Sequence, residues 1–292
     1  MREASPVRNR LLLVAAGLLF STGGAAIKAA TLTSWQVASF RSGVASAVLL
    51  LALPEARRGW SWRAVPTVTA YAATLITFVL STRLTTAAAA IFLQSTAPLY
   101  LLLLGPWLLR EPVRRSDLLY MLAIVAGMAL FFVGTPPAVA TAPDPRRGDI
   151  IAAASGFTYA LTLAGFRWLG RRQTANPALG AVVLGNLLAF LAGLPLALPV
   201  AAYSVGDMSV ILYLGVFQIG LAYVCLTRAI RHVPAFEANT VLLLEPAMNP
   251  VWVWLIHGER PGAWPLAGGA LILAATLVNT WRQGHMAGRA VL

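Results

Sequence analysis

Ser81-Thr82-Arg83-Leu84-Thr85-Thr86-Ala87-Ala88-Ala89-Ala90, running into Gln94-Ser95-Thr96-Ala97-Pro98, is answered 148 residues later by Ala229-Ile230-Arg231-His232-Val233-Pro234-Ala235-Phe236-Glu237-Ala238, running into Leu242-Leu243-Leu244-Glu245-Pro246. Glu111 and Glu259 each follow their proline by 13 residues, at the same offset. A weaker correspondence at an offset of 139 sets Ala16-Gly17, Phe20 and Lys28 against Ser155-Gly156, Tyr159 and Arg167. Matched proline and glutamate at identical spacing exceed what shared composition produces, and a self-match on this scale marks a duplicated unit.

What the unit is made of follows from the residues around it. The chain has 292 residues, of which 59% are apolar and 11% charged, with a mean hydropathy of +0.74. A soluble domain carries charge on about a quarter of its residues, and a disordered chain lacks the apolar surface seen here. The solvent is therefore a bilayer. Apolar runs lie at about 11–29, 34–53, 64–82, 86–109, 116–134, 148–169, 178–199, 208–230, 235–257 and 262–281, each long enough for a span of ~20 residues. Ten spans leave no room for a water-soluble catalytic domain. The first run follows Arg2, Arg8 and Arg10 as a secretory signal would, but its apolar stretch is too long, and it is read as an uncleaved helix.

The basic residues, 21 Arg and one Lys, give a net charge of +12 but lie in small groups between apolar runs. That placement orients membrane helices, and it argues against nucleic acid as a partner. With the N-terminus inside, 16 basic residues fall on the inner side and five on the outer (Lys28, Arg83, Arg146, Arg147 and Arg260), with Arg41 inside a span. Both termini are expected in the cytoplasm, in an inner membrane crossed ten times. Five spans per unit is odd, so the second copy enters with opposite orientation. The expected architecture is an all-α membrane protein of two inverted five-helix repeats, 1–140 and 141–292, forming one transport domain. Inverted repeats are a recurring construction of secondary transporters, with the site between the halves. One chain supplies both halves of a transport unit, which allows a functional monomer and leaves the oligomeric state open.

Within the spans, Pro98 and Pro246 each free a carbonyl one turn earlier, at Gln94 and Leu242, and predict matched bends in the fourth and ninth helices. These are either hinges or static packing kinks. Glu245 lies about ten residues into its span, ~15 Å deep at the helical rise, where an ionisable group marks a pathway or a buried pair. It either faces a cavity or pairs with Arg41. Arg41 either snorkels outward or meets a substrate carboxylate. Glu111 and Glu259 are read as helix-end salt bridges to Arg110 and Arg260. Tyr71, Phe78, Tyr100, Tyr159, Phe217, Tyr223 and Trp252 either pack or line a pocket. Ser21, Thr74, Gln94, Gln218 and Asn249 need partners in a low-dielectric interior, and a wet cavity is the economical one. Trp35, Trp60, Trp62, Trp107, Trp168, Trp264 and Trp281 lie near span ends, as interfacial anchors do.

No G-x-x-x-x-G-K-[ST] loop is present, so ATP does not drive the chain directly. The three histidines have no partner at metal-ligand spacing, the single cysteine Cys225 cannot make a disulfide, and no G-x-S-x-G turn occurs. The expectation is no cofactor, no metal and no enzyme, with a small molecule and the bilayer as partners.

The alanine-rich start, the mid-span proline and the terminal Arg110-Glu111 or Gly258-Glu259, occurring twice, resemble the drug/metabolite transporter superfamily, EamA type. Within it, the length, Arg41 and the aromatic content are most similar to the YddG group of amino-acid exporters. The resemblance implies export by alternating access, with the two halves rocking on the central helices. It implies amino acids with aromatic or large apolar side chains as cargo, the aromatics giving a face and Glu245, Arg41 and the amide side chains the zwitterion contacts. Export of hydrophobic drugs or another metabolite is the alternative, and an intramembrane lipid-modifying enzyme or a channel stands further off.

Overall fold

The apolar runs fold as helices. The computed structural model describes residues 6–57, 60–108, 115–133, 137–170, 177–229, 232–233 and 235–289. These contain no strand beyond one isolated bridge between Val139 and Ala142. The helices are α1 (Val7–Ala29), α2 (Ser34–Ala52), α3 (Trp62–Leu84), α4 (Ala87–Leu108), α5 (Asp117–Val133), α6 (Pro145–Leu169), α7 (Ala178–Ala197), α8 (Val205–Ala229), α9 (Ala235–Leu242 and Leu244–His257) and α10 (Ala263–Arg282). Among the described residues, eight are long and apolar enough to cross a membrane, all but α5 and α9. Those two fall short of the ten expected for identifiable reasons. Residues on both sides of α5 lie outside the described set, and α9 is divided at Leu243.

Local chemistry fixes where helices start. Thr33 and Gln36 form a reciprocal capping box at α2, Ser204 and Asp207 another at α8, and Thr86 caps α4 through the Ala89 N–H. Each satisfies backbone donors that would otherwise be orphaned at a helix end.

Packing partners repeat along the chain. α3 packs on α6 and α7, and α8 packs on α1 and α2. α4 packs on α6, as α9 packs on α1; α2 pairs with α7, α5 with α10, and α4 with α9. Exchanging each helix for the one five places along maps these pairings onto themselves. Glycines mark the matched crossings, where small residues let backbones approach. A Cβ on Gly156 of α6 would lie 2.8 Å from the Leu93 carbonyl, and one on Gly17 of α1 would lie 3.4 Å from Leu244 Cβ.

Both helices that carry a mid-span proline are interrupted. α4 consists of Ala87–Gln94 and Ala97–Leu108, joined by a tight turn in which the Thr96 N–H donates to the Leu93 carbonyl at 3.2 Å. In α9 the Leu243 N–H donates to the Thr240 carbonyl at 3.3 Å. Ser95 and Leu243 are equivalent at the offset of 148, so the two breaks match. Pro98 and Pro246 sit in the first turn after each break, where a missing N–H costs no hydrogen bond. Pro106 and Pro250 lie within continuous helix. α1 also breaks, at Thr22 between Pro6–Ser21 and Gly23–Ala29, and α8 widens into a π-helix over Tyr213–Leu221.

Candidate functional site

Five helices, α1, α3, α6, α8 and α9, bring their polar and aromatic side chains to one region beside the break in α9. The Tyr71 hydroxyl donates to the Tyr223 hydroxyl at 3.0 Å, with their rings edge-on at 6.3 Å. Phe20 abuts Tyr223 in a second edge contact at 5.2 Å. Glu245, half-buried, lies within electrostatic reach of Tyr71, Tyr159 and Tyr223. Among the described residues it has no ion-pair partner, so the expected alternative of a Glu245–Arg41 pair is not formed.

Arg41 does not snorkel. It is 1% exposed, its Nη2 donates to the Leu75 carbonyl at 3.2 Å, and its Nε has no partner. Tyr71 is its electrostatic neighbour. Tyr71 thus feels both a buried cation and a carboxylate that form no ion pair with each other.

The amides gather at the break in α1. Asn249 follows Glu245 by one turn, on the same face of α9. It is buried, both of its amide atoms lack partners, and it presses on Gly24, where a Cβ would come within 2.5 Å of Oδ1. Gln218 presses on Gly23 in the same way; its Nε2 donates to the Phe20 carbonyl at 3.4 Å while its Oε1 is unpaired. Gly23 and Gly24 are required here because any side chain would displace a carboxamide. Ser21 accepts from Trp252 Nε1 at 2.9 Å. Thr74 joins Thr158 at 3.0 Å and Gln94 donates to Ser155 at 2.8 Å, forming a polar seam between α3, α4 and α6.

Three expected members lie elsewhere. Phe78 is part of the apolar core with Ile27, Ala30 and Leu32. Tyr100 packs edge-on against Phe157 at 5.7 Å, on the outer side of α4 and α6. Phe217 is 46% exposed and stacks on Tyr213 within the π-helix, while its neighbour Gln218 is buried. Phe20, Gly23, Gly24 and Asn186 are site neighbours that sequence reasoning did not select. Asn186 is buried near Tyr71, and an asparagine inside the apolar run 178–199 was the available signal.

The expected helix-end pairs also change. Arg110 and Glu111 lie outside the described residues. Glu259 pairs with Lys28 at 2.8 Å, not with its neighbour Arg260. A chain neighbour at a helix terminus points into water, whereas Lys28 meets Glu259 under the protein surface.

Two cavities flank the cluster. A polar one of about 260 Å³ opens beside the start of α1, lined by Asn9, Glu55, Thr227 and Arg228 among others. It reaches to within one turn of Tyr223, whose carbonyl accepts from the Thr227 hydroxyl at 2.7 Å. The other, about 670 Å³ and almost wholly apolar, runs between α2, α7 and α8 on the lipid side.

A model of the EamA-like transporter family matches this chain twice, over residues 9–133 and 146–281. The pseudopaline exporter CntI of Pseudomonas aeruginosa strain UCBPP-PA14 is 27% identical over 276 residues, covering 91% of this chain and 94% of that protein, and its counterpart in strain PAO1 matches equally. An uncharacterized transporter of Clostridium kluyveri is 32% identical over 76 residues, 26% of this chain and 24% of that one. A solved crystal structure shares the fold with a TM-score of 0.61 at 18% identity, covering 92% of this chain and 96% of its own. A double match over most of the length, on a bundle of membrane-crossing helices, settles the class: the chain belongs to the EamA-like transporter family and is a multi-pass membrane transporter, not an enzyme.

Proposed function

We propose that this chain exports small metabolites across the inner membrane by alternating access, through the cluster around Tyr71, Tyr223, Glu245 and Asn249. The observation that carries the reading is that this cluster lies between helices drawn from both segments matched by the family model. In this reading the chain is two inverted five-helix repeats, 1–140 and 141–292, crossing ten times with both termini in the cytoplasm, and one copy suffices. The Lys28 end of the bundle is then the outer side and the Arg10 end the inner. Pro98 and Pro246 act as hinges at the breaks they follow. Export is supported by the similarity to a pseudopaline exporter.

The cargo in this reading is of amino-acid type with an aromatic or large apolar side chain. Phe20, Tyr159 and Tyr223 supply an apolar wall, and Arg41, Glu245, Gln218 and Asn249 supply groups for a carboxylate and an amine. Counterflow in proteoliposomes tests it. Vesicles loaded with unlabelled phenylalanine or tryptophan are expected to accumulate external tracer transiently. If folded protein gives no accumulation, these amino acids are excluded, and export of another metabolite, as by the pseudopaline relative, is the reading that remains.

A further inference from the structure

We propose that Lys28 and Glu259 form the latch of the outer gate, a buried ion pair that holds this side shut and must part for the site to open outward. The proposal rests on the alternating-access reading above. Its basis is a network that joins helix ends on one side of the bundle.

The pair is 2.8 Å long with both side chains 4% exposed. Lys28, at the end of α1, also donates to the Thr85 carbonyl at 2.9 Å, between α3 and α4, and to the Thr141 carbonyl ahead of α6. The other oxygen of Glu259, just beyond α9, accepts from the Ala87 N–H, the first of α4, at 2.7 Å. One pair therefore ties α1, α3, α4 and α9 together, along with the segment before α6. Arg83 reinforces it by donating to the carbonyls of Ile27, Ala30 and Leu32.

The opposite side is held differently. There α1 and α9 meet through Arg10 and Glu237, at the surface, with side chains 58% and 28% exposed. The polar cavity of about 260 Å³ lies on that side. The structure is shut at the Lys28 end and hollow at the Arg10 end.

A buried ion pair is a poor choice for static stability, because desolvation offsets much of the attraction and apolar replacements are often as stable. What it offers is reversibility. When the gate opens, both charges return to water and recover their hydration, whereas an apolar pair would expose greasy surface. Breaking one partner leaves a buried charge uncompensated and favours the open gate.

The test reads opening directly and needs no cargo. In a Cys225→Ser background, a Ser21→Cys reporter beneath the latch is labelled with a membrane-impermeant thiol reagent applied from outside to cells or spheroplasts. Lys28→Met is expected to speed labelling by at least about tenfold, as an unpaired buried charge disfavours the closed state. Lys28→Met combined with Glu259→Gln, which is uncharged but keeps an acceptor for the Ala87 N–H, is expected to return labelling to the parent rate or below it. Glu259→Gln alone, leaving Lys28 unpaired, should behave like Lys28→Met and serves if that variant does not fold. Equal rates in the parent and either folded single variant would overturn the proposal. So would a double variant as fast as the singles, the pattern of a merely structural pair. Failure of phenylalanine counterflow bears on the cargo and leaves these rates untouched.

Discussion

Arg41 is held in the interior by one carbonyl and has an unpartnered Nε. A guanidinium so placed is expensive, so a protein selected only for stability would not keep it. Arg41→Met should leave the melting temperature unchanged or higher, since replacing buried charge with apolar volume is neutral or stabilising by up to about 4 kcal/mol. Transport should fall at least about tenfold in the same variant if the guanidinium meets a cargo carboxylate. Detergent-solubilised melting and counterflow, measured side by side, check the two halves of this prediction; a matched loss of both would make Arg41 structural. Glu245 stands alone among three tyrosines and is the group best placed to carry a proton or receive an amine. Glu245→Gln should fold normally and change the pH profile of transport, while a profile unaltered between about pH 5 and 8 would remove it from any coupling step. At this scale the sequence pointed to Arg41 and Glu245 because charges inside apolar runs are conspicuous. Lys28, Gly23 and Gly24 were less visible. A lysine at a span end reads as an orienting charge until its partner from 231 residues away is seen, and a glycine pair in a membrane helix reads as ordinary.

Elements show why breaks and crossings occur together. The Leu93 and Gln94 carbonyls at the end of Ala87–Gln94 lie against the bare backbone of Gly156, and the equivalent crossing sets Gly17 against α9. Gly156→Leu forces a side chain against the Leu93 carbonyl and is expected to destabilise by about 1–3 kcal/mol, as overpacking does. Gly17→Ala, with ordinary contact distances, should be tolerated. Thermal melts of the two variants check the contrast, and equal losses would mean that the crossings are not limited by backbone contact. The prolines make a separate prediction. Pro98→Ala or Pro246→Ala allows the broken helix to close up, so turnover should slow more than apparent affinity falls, and a proportional loss of both would count against hinges. Matched breaks were legible because the effect of proline on helical bonding is local. The π-helix was not. Its wider winding over Tyr213–Leu221 accompanies close packing of Gly215 and Gly220 onto Val44 and Val48 of α2, a tertiary contact with no local signature, and of the two roles open to Phe217, packing or lining a pocket, its exposure fits packing.

The whole molecule turns on the number of crossings, because an inverted repeat and an even repeat predict opposite addresses for everything past the midpoint. The helix ends supply the physical argument. Lys28, Thr85, Asp149 and Glu259 come from the end of α1, the end of α3, the start of α6 and the end of α9, yet they are linked at one end of the bundle by the Lys28–Glu259 and Thr85–Asp149 contacts. Asp207, at the start of α8, joins the same end by accepting from Thr31 at 2.7 Å. Arg282 and Asp117, from the end of α10 and the start of α5, meet at 3.2 Å. In the proposed ten-crossing reading this pair lies at the opposite end, which requires every intervening helix to cross, the short α5 and the divided α9 included. The positive charges agree, since the Lys28 end holds few basic residues and buries Lys28 in an ion pair. Reporter fusions follow from this. A fluorescent protein at the C-terminus should mature in the cytoplasm, while alkaline phosphatase inserted after Ala142 should be active and after Gly59 inactive. Phosphatase activity at the C-terminus would mean that one of α5 and α9 fails to cross, and an inactive phosphatase after Ala142 would mean that it is α5, with which the inversion of the second half would be lost.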